Sequence, residues 1–103
     1  MDIDGLSEDP PVMCEAWAHI GIPNAAQKSK VMADAFKMVF LEKHLRKGYG
    51  KMLLFADQVA RDGFVGLTRR AEVLRLFEIQ AKLVGLPESV REQVVAAQKR
   101  QYR

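Results

Sequence analysis

One cysteine, Cys14, is all that the 103-residue chain carries, so no disulfide can close within it. A reducing compartment is its natural setting. No apolar run approaches the ~18 residues that a membrane span requires. The N-terminus is acidic where an export signal would be basic. Neither signal nor span is therefore read, and a cytoplasmic location is expected. Histidine is scarce, with His19 and His44 alone. Cys14 and His19 are five apart and point differently on one helix. No pair among Cys14, His19 and His44 has zinc-ligand spacing. The chain is thus expected to be no enzyme, with no metal and no cofactor. No run reads as the period-two alternation of a half-buried strand. The expected fold class is therefore all-α.

What is present fits that expectation. Hydrophobic residues make up 49% of the chain and charged ones 28%, an ordinary globular balance. The length suits one domain. Residues 1–11 read as an acidic flexible leader ending in Pro10 and Pro11. Residues 12–103 read as a single helical domain of about five helices, a small bundle with a long central helix hairpin. The spacing predicts helices over residues 12–20, 25–46, 51–62, 67–86 and 88–102. Asn24 is placed to cap the second. Thr68 and Gly85 bracket the fourth as N-cap and C′ residues, and Pro87 stops it. Helices 25–46 and 67–86 carry apolar arcs too wide for one neighbour to cover, which predicts a homo-oligomer. Phe36, Phe40, Leu76 and Ile79 are the expected subunit contacts.

Two motif-like stretches lead nowhere. Asp2 to Gly5 opens like a calcium loop but lacks its later ligands and distal glutamate. Gly48-Tyr49-Gly50-Lys51 has neither the spacing nor the preceding strand of a phosphate loop. Charge is more informative. The formal net charge is +3, yet the acids gather in the leader while Lys28, Lys30, Lys43, Arg46, Lys47 and Lys51 flank the long helix and its turn. Lys99, Arg100 and Arg103 end the chain. These are candidate ligands for the phosphates of double-stranded DNA, with weak, salt-sensitive contact. Residues 13–31 admit a helix-turn-helix reading with Gly21 in the turn. Asn24, Gln27 and Lys28 would be its base-reading side chains. The same cations also suit a solvated surface, and Lys43, His44, Arg46 and Lys47 suit a helix C-terminus.

Arg70-Ala71-x-x-Leu74-x-Leu76-Phe77, followed by Leu83-x-Gly85-Leu86, resembles a helix common in small terminase subunits of tailed phages and phage-like particles. The resemblance covers roughly the second half of the chain. It implies a ring-forming, non-catalytic DNA-packaging factor that contacts a large terminase-like ATPase–nuclease partner. The N-terminal helix-turn-helix of that family is at best vestigial in residues 17–31. The alternative is a small helical regulatory or inhibitory protein that binds another protein without touching DNA.

Overall fold

The structure, a computed structural model, describes residues 3–85 and 87–101, with the backbone alone at 91 and 99–101. It is a mixed α/β fold and corrects the all-α expectation. The element order is β1 (Gly5–Glu8), β2 (Pro11–Trp17), α1 (Ala25–Leu45), β3 (Gly50–Phe55), α2 (Gln58–Asp62), α3 (Arg69–Leu76), β4 (Ile79–Leu83) and α4 (Glu88–Gln101). The strands form one sheet in the order β1-β2-β3-β4. β1 runs antiparallel to β2, whereas β2, β3 and β4 are parallel.

Both parallel crossovers step the same way across the sheet. Right-handed connections therefore place α1, α2 and α3 on one face. Side chains agree. Met13 from β2, Leu53 and Phe55 from β3, and Ile79 from β4 are buried with Val31, Ala35 and Met38 of α1. Ala60 of α2 and Leu74 of α3 join them, and Phe64 stacks on Phe55 at 5.2 Å between ring centroids.

Two helices sit where the spacing predicts them. α1 opens on a reciprocal cap: Gln27 N–H donates to Asn24 Oδ1 at 2.9 Å, and Asn24 N–H donates to Gln27 Oε1 at 2.8 Å. It closes with Arg46 left-handed at φ 54°. α4 also lies within its expected range. The other three expected helices are strands in whole or in part. Residues 12–20 contain most of β2, residues 51–62 hold β3 and then α2, and residues 67–86 hold α3, a turn and β4. Thr68 does cap α3, accepting from Ala71 N–H at 3.1 Å. That helix ends early because Glu78, at φ 58°, turns the chain into β4. Gly85 therefore follows a strand and is no helix cap. There is no central helix hairpin, because α1 has no long partner. The stretch read as an acidic leader contains β1, paired from Gly5↔Cys14 to Glu8↔Pro11.

Candidate functional site

The inward face of the sheet carries two buried charged residues, and α1 answers both. Glu15 is buried on β2, and Lys37 Nζ lies 2.8 Å from its Oε1. The approach is close but badly angled, so that oxygen has no hydrogen-bond partner among the described residues. Burial pushes the Glu15 carboxyl up, and the neighbouring Lys37 only partly offsets this. The Glu15 carboxylate in turn holds Lys37 above its ordinary value. Lys51, 5% exposed on β3, gives a better-formed pair, with Nζ 2.7 Å from Glu42 Oε1. At the sheet edge Glu8 accepts from Tyr49 O–H at 2.8 Å and from Lys47 Nζ at 3.0 Å. The Tyr49 hydroxyl and then Lys47 hold the Glu8 carboxyl below its usual range.

These pairs redistribute the candidate DNA ligands. Lys51 points inward and is consumed by Glu42. Lys47 is tied to Glu8. Lys43 and Arg46 are exposed at the C-terminal end of α1. Lys28 and Lys30 stand near its N-terminal end, about 20 Å or more away at 1.5 Å rise per residue. Lys99 and Arg100 ride on the last turn of α4, and Arg103 lies outside the described residues. Among the described side chains, Lys28 and Lys30 therefore stand apart from Lys43 and Arg46, and these four form no single strip. Asn24 and Gln27, read as base contacts, bond each other in the α1 cap. The residues of the helix-turn-helix reading are divided between β2, a loop and α1.

The expected subunit contacts fare differently. Ile79 is a core residue of β4, 5% exposed. Phe36, Phe40 and Leu76 are 48%, 59% and 76% exposed. On α1, Ala33, Phe36 and Phe40 recur at helical spacing along the side away from the sheet. Phe36 meets Phe77 edge-on at 6.1 Å, which joins this stripe to the C-terminal end of α3. Phe40 stacks on His44 at 6.5 Å with the rings 8° from parallel. The result is an apolar strip across α1 with the end of α3 beside it, bordered by Lys43 and His44. Sequence spacing singled out Phe36 and Phe40. It did not pair Phe36 with Phe77 or Phe40 with His44, contacts that depend on where the end of α3 meets α1 and on the last turn of α1.

No group of three or more His, Cys, Asp and Glu side chains among the described residues is placed to hold a metal ion. Cys14 lies on the outward side of β2, His19 in the loop after it and His44 at the far end of α1. Among the described residues no helix is long and apolar enough to cross a membrane. Comparison with known proteins found no matching family model, no similar curated sequence and no similar solved structure.

Proposed function

We propose that the chain is a non-catalytic regulatory or adaptor protein that binds another protein through the α1–α3 face, without DNA contact. The observation that carries this is the exposure of Phe36, Phe40 and Leu76 on a fold whose core closes without them. Burying a large apolar side chain fully contributes roughly 1.5–3 kcal/mol, so three with about half or more of their surface exposed leave a useful share for a partner. Lys43 and His44 at one end of the strip favour an acidic border opposite. The occupant that fits is an amphipathic helix with an apolar stripe and flanking carboxylates.

A DNA-packaging adaptor has less support. Two of its candidate phosphate ligands, Lys47 and Lys51, are held by carboxylates. The stretch that resembles a small terminase helix forms α3, a turn and β4.

The test uses two synthetic helices with leucines at three- and four-residue spacing, one flanked by glutamates and one by lysines, titrated by calorimetry. The glutamate-flanked helix should bind with Kd on the order of 10–100 μM, and the lysine-flanked one about tenfold more weakly or not at all. Phe40→Glu should abolish binding without lowering the melting temperature, because the ring is mostly exposed. Equal binding of both helices, or of neither, overturns the proposal. Self-association in sedimentation that Phe40→Glu removes would assign the face to a second copy instead.

A further inference from the structure

At the carboxyl end of β2 the chain leaves the sheet through residues 18–24 and enters α1. Asp57 fastens this loop, with Oδ2 accepting from Gly21 N–H at 2.9 Å. α4 returns to the same loop. The Gln98 amide accepts from Ile20 N–H at 2.7 Å and donates to Ile20 C=O at 2.9 Å, satisfying both backbone groups of one residue. Between α4 and the loop lies a cavity of about 590 Å³. That volume falls within the range of small-molecule sites. Trp17, His19, Gln27 and Lys30 line one side, and Val94 and Ala97 of α4 line the other.

The polar chemistry of this cavity is one-sided. Lys30 Nζ stands 5.8 Å from the centre of the Trp17 ring and forms no ion pair among the described residues. The Trp17 indole Nε1–H is buried and finds no acceptor among the described residues. His19 supplies a second donor at the cavity. The α1 cap commits Gln27 Oε1 to Asn24 N–H, so Gln27 Nε2 is the atom 3.4 Å from His19 Nδ1. That nitrogen must then accept, which in the neutral ring leaves the proton on Nε2. The Lys30 ammonium and the His19 imidazole therefore stand at one cavity whose other walls are the Trp17 ring, Ala18, Val94 and Ala97 with the Gln27 and Gln98 amides. The Trp17 and His19 rings add two flat surfaces, 5.7 Å apart at 34°.

We infer that this cleft binds a small organic anion built on a flat ring. The ring packs between the indole face and the Val94–Ala97 side of α4, and the anionic group takes the Lys30 ammonium and the His19 N–H. An aryl carboxylate and a nucleoside monophosphate share that chemistry. The site is separate from the α1–α3 face, so neither proposal rests on the other.

Trp17 is the only tryptophan, so a ¹H–¹⁵N spectrum holds one indole resonance that reports on this wall. Sodium benzoate and adenosine monophosphate are the two probe arms. Benzyl alcohol supplies a ring without charge, and inorganic phosphate supplies charge without a ring. Benzoate, adenosine monophosphate or both should move the indole peak saturably below about 10 mM, with each control at least tenfold weaker. Whichever arm binds identifies the source. Lys30→Met should weaken that binding about tenfold, whereas Lys28→Met should leave it unchanged. Unaltered circular dichroism of both variants excludes unfolding as the cause. The inference is overturned if neither arm saturates, if benzyl alcohol matches benzoate, if phosphate matches adenosine monophosphate, or if Lys30→Met binds like the parent.

Discussion

Removing the carboxylate of Glu42 should be among the most damaging single changes outside the apolar core. Its partner Lys51 sits between Met13 of β2 and Ile79 of β4 in the sheet register. The Lys51 side chain is 5% exposed and that of Glu42 is 23% exposed. Glu42 also accepts from Tyr49 N–H at 2.8 Å through its other oxygen. Glu42→Ala therefore strands an ammonium beneath α1 and leaves a backbone donor unmet. Breaking a buried pair by removing one partner costs about 3–5 kcal/mol, and the partial exposure of Glu42 argues for the lower end, about 3 kcal/mol. A single domain has only about 5–15 kcal/mol in all. Lys51→Met should cost less, about 1–2 kcal/mol, because the carboxylate keeps Tyr49 and reaches water. Lys51→Met combined with Glu42→Gln removes both charges while an amide oxygen remains for Tyr49, and should lie within about 1 kcal/mol of the parent. Urea unfolding followed by circular dichroism measures this. With m of about 1–3 kcal/mol/M, the Glu42→Ala midpoint should fall by about 1–3 M at unchanged m. The acid limb gives a second check. Burial raises the Glu42 carboxyl, but Lys51 and the Tyr49 N–H outweigh it, so the net shift is downward from 4.5. The native state thus binds fewer protons than the unfolded state, and this stabilisation is lost as pH falls from 4.5 through the native value. Glu42→Ala should flatten that loss. A midpoint within experimental error of the parent, or a double variant as weak as Glu42→Ala, would refute the reasoning.

Glu15 predicts the opposite slope: its carboxyl is raised above 4.5 by burial, so the native state holds its proton longer and stability declines as pH climbs through the native value. Glu15→Gln should remove that decline in a pH series of urea midpoints. Glu78→Gly should raise stability by about 0.5–1 kcal/mol in thermal unfolding, since the left-handed backbone at φ 58° is free of strain only for glycine. A Cβ at Gly5 would lie 2.5 Å from Cys14 Sγ, so Gly5→Ala should cost about 1–3 kcal/mol by overpacking. Adding Cys14→Ala should recover most of the loss, as read by the same melting curves.

The strands were hidden by what they put on each side. On β3 the inward positions are Lys51, Leu53 and Phe55, while the outward ones, Met52 and Leu54, are also apolar. A charge inside and methionine and leucine outside erase the period of two that spacing detects. β2 repeats the disguise, with Glu15 inward and Val12 and Cys14 outward. Only the fold supplies the reason, because Lys37 and Glu42 come from α1. In β4, Ile79-Gln80-Ala81-Lys82-Leu83 does alternate, against the reading that no run does, but the helix-like run before it concealed the break at Glu78. The α1 limits and the Asn24 and Thr68 caps could be read because they depend on a few adjacent residues. The exposed rings of Phe36 and Phe40 could be read from spacing along α1. The cleft beside Trp17 joins β2, the start of α1 and α4, so no local pattern marks it.

Parallel pairing also sets a timetable for synthesis. β2 has only the short β1 beside it until β3 emerges, since Cys14 pairs with Met52 and all of α1 lies between them. β3 then waits in turn for β4. At roughly 5–20 residues per second each wait lasts on the order of seconds, far longer than a helix takes to form. α1 should therefore be present on the ribosome before any parallel ladder exists. During that interval Met52, Leu53, Leu54 and Phe55 emerge as an apolar stretch with a free edge. An apolar strand left exposed in this way is a site for a chaperone, and an edge on which two unfinished chains can pair.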